Sequence, residues 1–175
     1  MTETRIETFR KCFTPKIGVD IEKQLIDLGF FTAPASTKYH LSYEGGLFDH
    51  SANVTLVLEH FTKVIGFEWQ NPRSPYVVGL LHDLCKCDQY IKQPDGTYKF
   101  NIEADTRHAE KSVEIAKRLI DLTEEEELCI RYHMGAFVDK DKWPGYTTAI
   151  KKYETVLWTH TCDMYSSNVL EVSQN

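Results

Sequence analysis

Residues 47–65 carry their apolar side chains at the spacing of one face of an α-helix. The apolar positions are Leu47, Val54, Val57, Leu58, Phe61 and Ile65, and Gly66 closes the run. A periodic run of this length is too long for an ordinary strand and suits a helix that buries one face. The segment therefore predicts a long amphipathic helix with His50 in its first turn.

Other segments repeat the same periodicity over shorter lengths. Gly29 follows the first of them as a C-cap, Pro75 precedes another, and Thr123 with Glu126 forms a capping box before a third. The predicted helices cover residues 21–28, 76–84, 108–120, 124–132 and 148–170. The pattern indicates an all-α fold in the form of a helical bundle.

One segment departs from helical periodicity. Residues 90–100 place Pro94, Asp95 and Gly96 between two strand-like halves, which predicts a small β-hairpin insertion near residues 89–100. The chain has 175 residues, 42% of them hydrophobic, which is enough for one core. With no repeats and no long linker, we expect a single domain over residues 1–175 with its core at about residues 30–170.

The composition and charge of the chain restrict which binding partners it can have. No apolar run approaches the roughly 20 residues of a membrane span, and the five cysteines are odd in number, so we expect a cytoplasmic protein with free thiols and no membrane contact. The pair Cys85 and Cys87 lacks a second pair for a structural zinc site. A net charge of -6 argues against long duplex DNA and favours a small phosphorylated substrate or a short single strand. A homo-oligomer is left open.

An apolar run ends in two adjacent side chains that can bind a metal, His82 and Asp83. A buried carboxylate without a partner carries a large desolvation cost, and a divalent cation would satisfy both side chains. His50 lies upstream at a helix start, and Asp163 lies downstream within an apolar helix. This order resembles the HD superfamily of metal-dependent phosphohydrolases, over about residues 30–170, and implies an HD-type helical bundle.

Two more histidines, His108 and His133, fall between the His-Asp pair and the last aspartate. With them the order resembles the branch of the superfamily that binds two metals and includes cyclic-dinucleotide phosphodiesterases. The resemblance implies that one ion is held by His50, His82, Asp83 and Asp163, and a second by Asp83, His108 and His133.

The sequence leaves an ordinary alternative open for several of these residues. Asp163 could form an ion pair with Lys152 or Arg131. His108 could be a polar residue at a helix N-terminus, and His133 could interact with the negative end of a helix.

A second resemblance lies upstream, in residues 34–51. The stretch is similar to a segment of HD-domain 3′→5′ exoribonucleases in Pro34-Ala35, His40, Gly45-Gly46-Leu47 and His50-Ser51. With 175 residues, most of them in the predicted single-domain core at about residues 30–170, we expect no OB domain of the kind that accompanies that family, which argues against processive nuclease action.

Candidate substrate contacts follow from the same resemblance. Lys86 lies three residues after Asp83, as in many family members, and would neutralise a phosphate oxygen, so both residues are expected to act in catalysis. His40 and Arg131 are further candidates for substrate binding, and Lys111 is a weaker one. Ordinary packing is expected for His60, His160, Trp69, Trp143 and Trp158, although a tryptophan or tyrosine could stack on a base.

The implied reaction is hydrolysis of a nucleotide-type phosphate ester or anhydride by a metal-activated water. A shell of histidine and carboxylate suits one or two ions of iron, manganese, cobalt or nickel, with magnesium as an alternative. The alternatives are a 3′→5′ exonuclease, a cyclic or oligonucleotide phosphodiesterase, a catalytically silent nucleotide-binding HD protein, and a dinuclear iron oxygenase. No Walker loop, Rossmann glycine pattern or Gly-x-Ser-x-Gly elbow is present.

Overall fold

Packed α-helices account for most of the computed structural model, which describes residues 1–172, and this confirms the predicted all-α class. The helices are α1 (Thr2–Thr8), α2 (Thr14–Ile17), α3 (Glu22–Asp27), α4 (Gly46–Ile65), α5 (Ser74–Leu81), α6 (His108–Leu119), α7 (Glu124–Arg131), α8 (Trp143–Lys152) and α9 (Thr155–Tyr165). Short π-helical turns cover Phe9–Phe13 and Ser166–Leu170, and 3-10 turns cover Leu84–Cys87, Gly135–Phe137 and Lys140–Lys142.

The long helix α4 forms where its periodicity predicts it. Its buried face includes Leu47, Val54 and Leu58, and it ends at Gly66, whose φ of 81° is left-handed. The amide of Gly66 donates to the carbonyl of Thr62 at 3.0 Å and so satisfies one of the last carbonyls of the helix. The helix therefore has a fixed end as well as a buried stripe, and it carries His50 on its buried face.

Helix α5 packs directly against α4 because Gly79 has no side chain. A Cβ atom at this position would lie 2.6 Å from the Cα of Thr55, closer than real Cβ contacts allow. Nearly the whole of α5 is buried, including Val77, Val78 and Leu80. The close contact sets where the end of α5, and the residues that follow it, lie relative to α4.

We expect Gly79→Ala to lower the free energy of unfolding by about 1–3 kcal/mol, the typical cost of overpacking. In an open helix the same change would stabilise the protein by about 1 kcal/mol through helix propensity, so the sign of the effect reports the contact with Thr55. Urea unfolding followed by circular dichroism measures it. An unchanged or higher midpoint would contradict the close packing of the two helices.

Two apolar clusters make up the core within residues 1–172. The larger includes Phe9, Phe13 and Ile17 from the N-terminal turns, packed with residues of α4 and α5 such as Phe48 and Leu81. The smaller joins Leu58 and Val78 to α7, α8 and α9. Because α4 and α5 contribute to both clusters, they link the N-terminal turns to the last helices.

The hairpin and the capping box both form as predicted. Strands β1 (Tyr90–Lys92) and β2 (Tyr98–Phe100) pair antiparallel, with Ile91 opposite Lys99. The Thr123 hydroxyl accepts from the amide of Glu126 at 3.1 Å, and the Glu126 carboxylate accepts from the amide of Thr123 at 2.8 Å. Within the described residues no helix is long and apolar enough to cross a membrane.

The single helix predicted over residues 148–170 is wrong. Helix α8 ends at Lys152, Tyr153 takes an extended conformation with φ -137° and ψ 106°, and α9 begins at Thr155. Contacts with α7 explain the break, because the buried Thr155 hydroxyl donates to the Glu125 carboxylate at 2.6 Å. A buried hydrogen bond to another helix outweighs the local apolar periodicity here.

Candidate metal centre

The six predicted ligands come from separate parts of the bundle and meet at one place. His50 lies in α4, His82 and Asp83 directly follow α5, His108 begins α6, His133 follows α7, and Asp163 lies in α9. Asp83 is the common neighbour of the others, and its carboxylate is 2% exposed. The structure therefore brings together all the residues that the sequence order singled out.

One oxygen of Asp83 faces the first group of predicted ligands. Its Oδ2 lies 3.6 Å from Nε2 of His50 and 3.3 Å from Nε2 of His82. Asp163 approaches the same nitrogens, with Oδ1 at 3.2 Å from His50 and 4.0 Å from His82. His50, His82 and Asp83 lie close enough together for one ion to contact all three.

The other oxygen of Asp83 faces the second group. Its Oδ1 lies 2.9 Å from Nε2 of His108 and 3.5 Å from Nε2 of His133, and these three residues also lie close enough to share an ion. Asp83 is thus placed between two sets of imidazoles. A carboxylate in this position can bridge two cations, one through each oxygen.

Each of the four imidazoles is oriented by a contact at its other nitrogen. Nδ1 of His82 donates to the Gly79 carbonyl at 2.9 Å, and Nδ1 of His133 donates to the Ile130 carbonyl at 2.7 Å. A proton on Nδ1 leaves Nε2 with its lone pair directed at Asp83. The neutral ring in this tautomer is the form that binds metals.

The remaining two imidazoles have different outer partners. Nδ1 of His50 lies 3.1 Å from both oxygens of Glu171, which is fully buried and also accepts from Asn53 at 3.0 Å. Nδ1 of His108 lies 3.0 Å from the thiol sulfur of Cys85. The first group is therefore supported by a carboxylate, and the second by a thiol, which is a weaker hydrogen-bonding group.

The polar atoms of this cluster fit a bound cation. Nε2 of His50, Nε2 of His82 and Oδ1 of Asp83 are buried and, across residues 1–172, have no partner with hydrogen-bond geometry. Buried polar atoms are rarely left unpaired, because each costs about 1–3 kcal/mol. Divalent cations would satisfy these atoms together, and the mix of imidazole and carboxylate suits a first-row transition metal.

Electrostatics keep both carboxylates of the cluster ionised. Burial raises the pKa of Asp83, but the Lys86 ammonium and the nearby imidazoles outweigh it and hold this pKa well below its usual range. For Asp163, burial is likewise outweighed by His50 and His82, and its pKa is lowered. Burial lowers the pKa of His50, yet the carboxylates of Asp163 and Glu171 raise it to about 9.

Lys86 and His40 both lie at the centre. The Lys86 ammonium is 2.7 Å from Oδ2 of Asp83, and both residues line a cavity of about 260 Å³ over the cluster. The ring of His40 lies 5.0 Å from that of His50, and burial lowers the pKa of His40 to about 4. His40 is therefore neutral at pH 7, a form that can donate or accept a hydrogen bond or bind a metal together with His50 and Glu171.

Arg131 and Lys111 lie apart from that cavity. Arg131 pairs with Glu127 at 2.7 Å and lines a neighbouring cavity of about 430 Å³, which meets the centre at His108. Lys111 pairs with Asp88. The alternative partners of Asp163 are excluded, because Arg131 is paired with Glu127 and Lys152 pairs with Glu124 at 2.5 Å.

Three residues of the centre were missed by the sequence analysis: Glu171, Cys85 and His160. Ordinary packing was predicted for His160, and its Nδ1 donates to the His133 carbonyl at 2.9 Å while its side chain also lines the site cavity. It precedes Asp163 by one helical turn, and this i, i+3 spacing was the available signal. Of the tryptophans, Trp69 and Trp158 pack against the smaller apolar cluster.

Comparisons with known proteins agree with this geometry. The family model described as "HD domain" matches residues 47–157, which include every predicted ligand except Asp163. A dihydroneopterin 2′,3′-cyclic phosphate phosphodiesterase from Methanocaldococcus jannaschii is 37% identical over 81 residues, which cover 42% of this chain and 32% of that relative. The matched region is thus about a third of the relative's length. No solved structure gives a significant match.

Proposed function

The chain belongs to the HD-domain family, and from this premise we propose that it is a metal-dependent phosphohydrolase acting on a small nucleotide-type phosphate ester or anhydride. One observation carries the proposal: the two oxygens of Asp83 face two separate groups of imidazoles, three of them buried and His108 partly buried, all turned with Nε2 inward. This arrangement fits two neighbouring cations. The similarity to an enzyme that acts on a cyclic phosphate of a heterocyclic compound supports the substrate class.

The ligand roles are part of the proposal. His50, His82, Asp83 and Asp163 would hold one ion, and Asp83, His108 and His133 would hold the other, with iron or manganese as the first choice. Bound there, the ions would lower the pKa of a water and draw charge from the phosphate oxygens. The side chains that surround the centre must then bind the substrate and keep it in place.

Lys86 and His40 are the residues that we assign to the substrate phosphate. The Lys86 ammonium sits beside Asp83 and faces the site cavity, where it can neutralise a phosphate oxygen as negative charge builds up. His40, neutral and with a buried Nε2 that has no partner within the described residues, can hydrogen-bond another oxygen. Arg131 would act only on a longer substrate that reaches the neighbouring cavity.

The experiment that tests the function is metal analysis followed by an activity screen. Protein purified without chelator is expected to hold about two transition-metal ions per chain. With manganese added, it should release phosphate from nucleoside mono- or triphosphates, or open the ring of 2′,3′-cyclic nucleotides. Removing the metal with a chelator should abolish these activities. Metal-free, inactive protein would overturn the proposal and favour a binding-only HD protein. Substrate-dependent dioxygen uptake by reduced iron without hydrolysis would instead favour an oxygenase.

A further inference from the structure

An open groove adjoins the metal centre. Its volume is about 820 Å³, within the range of small-molecule sites, and its walls include Tyr39, Met134, Phe137 and Met164. We call it the aromatic groove. It shares His40 and the residues Met134, Phe137, Met164 and Ser167 with the smaller cavity over Asp83. A molecule whose phosphate lies at the metal centre would therefore extend directly into the groove.

Two aromatic side chains line this groove while remaining largely in solvent. Phe137 is 68% exposed and Tyr39 is 69% exposed, whereas Phe9, Phe30 and Phe31 are buried in the core. The Phe137 ring lies 6.4 Å from the ring of His160, and the Lys38 ammonium lies 5.8 Å from the centre of the Tyr39 ring, yet most of each side chain stays accessible and can stack on a ligand in the groove. The two residues come from different segments, the loop before α4 and the 3-10 turn Gly135–Phe137. No single local pattern therefore explains why both line the same groove.

The turn that carries Phe137 is held against the metal centre. Gly135 has a φ of 55°, and a Cβ atom there would lie 2.5 Å from Nδ1 of His160. Nδ1 of His160 in turn contacts the carbonyl of His133, a predicted ligand, at 2.9 Å. The turn that carries Phe137 therefore packs closely against His160, an approach that only glycine at position 135 allows.

We propose that the aromatic groove binds the planar heterocyclic ring of the substrate, by stacking on Phe137 and Tyr39. The inference rests on the proposed function and restricts it to phosphate esters that carry an aromatic heterocycle. Two aromatic rings and two thioethers suit a flat π-system. The Ser167 hydroxyl and Nδ2 of Asn168 donate to the backbone carbonyls of Asp163 and Met164, which leaves the Asn168 side-chain oxygen to accept from an N–H at the edge of the ring. Simple sugar phosphates would occupy the centre and leave the groove empty.

Binding measurements on the full chain test this without relying on turnover. Isothermal titration with guanosine 5′-monophosphate and with ribose 5-phosphate, each with calcium in place of the activating metal, separates the ring from the phosphate. Stacking is worth about 1–3 kcal/mol per base, so Phe137→Leu should weaken binding of the nucleotide about 5- to 150-fold and leave ribose 5-phosphate unchanged. Phe137→Tyr keeps an aromatic ring and should retain most of the nucleotide affinity. Tyr39→Leu should likewise weaken binding of the nucleotide and leave binding of ribose 5-phosphate unchanged.

Phe100→Ala is the matched control, because Phe100 is an exposed aromatic residue on the hairpin and does not line the groove. It should bind both ligands as the unchanged protein does. The proposal is overturned if the unchanged protein binds the two ligands equally, or if Phe137→Leu and Tyr39→Leu weaken both ligands alike. Phosphate release by the unchanged protein tests the proposed function on its own. A failure of the groove proposal can therefore be told apart from a failure of the proposed function.

Discussion

If the proposed metal roles hold, replacing Asp83 with alanine is expected to abolish metal binding at both groups of ligands and to reduce turnover on the order of 1,000-fold or more, since its carboxylate is positioned to stabilise a cation in each group. Its Oδ2 faces His50 and His82, and its Oδ1 faces His108 and His133. No other carboxylate among residues 1–172 approaches both pairs of imidazoles this closely. Elemental analysis of the purified variant and phosphate release with added manganese measure the two effects.

Removing a buried carboxylate also leaves the Lys86 ammonium without its partner, so folding must be checked in parallel. Asp83→Asn keeps the volume and the hydrogen-bonding oxygen but loses the charge, and it should lose metal in the same way. Asp88→Ala is the matched control, because Asp88 lies five positions along and pairs with Lys111 outside the site cavity. A folded Asp83→Ala protein with full metal content would contradict the bridging role.

A second large effect is expected for Glu171→Ala, which should raise the dissociation constant of the ion in the first group by about 10- to 100-fold. Glu171 fixes the ring of His50 through Nδ1 and is itself held by Asn53. Without it the imidazole can turn, and Nε2 no longer points steadily toward Asp83. Titration of the metal-free protein with manganese should then resolve one weakened and one nearly unchanged binding event.

Cys85→Ala provides the matched comparison, because Cys85 contacts Nδ1 of His108 in the second group. We expect a smaller loss, confined to the other ion, since a thiol hydrogen bond is weaker than one to a carboxylate. Glu171→Gln keeps an oxygen acceptor and should recover part of the affinity. If Glu171→Ala weakened both ions equally, the carboxylate would be supporting the fold rather than orienting His50.

The ligand set could be predicted from the sequence because the order of its histidines and aspartates resembles the HD superfamily, and that resemblance implied which residues would bind metal. His82 and Asp83 end an apolar run, and His50, His108 and Asp163 lie on periodic segments, so the order of the resemblance could be followed along the chain. This prediction did not require knowing which of these residues contact one another in the fold. The convergence seen in the structure agrees with that order, while the assignment of each residue to an ion stays a prediction.

The outer contacts could not be predicted, because they depend on how distant segments pack. Glu171 and Cys85 contact ligands 121 and 23 positions away, respectively, and neither lies in a pattern that points to an imidazole. The break between α8 and α9 has the same origin, since the buried hydrogen bond from Thr155 to Glu125 spans two helices. Phe137 and Tyr39 likewise gain significance only from the groove they share. Local periodicity predicts the helices and strands, whereas the contacts between them depend on tertiary packing.

The chain positions of the two groups also fix the order in which they can be completed on the ribosome. The second group is complete once His133 has left the exit tunnel. The first group is incomplete until Asp163 has been synthesised. Glu171, which orients His50, follows later still, 121 positions after His50. A nascent chain grows at about 5–20 residues per second, so the 30 residues from His133 to Asp163 take about 1.5–6 seconds. We therefore expect all the proposed ligands of the thiol-supported group to have been synthesised before those of the carboxylate-supported group.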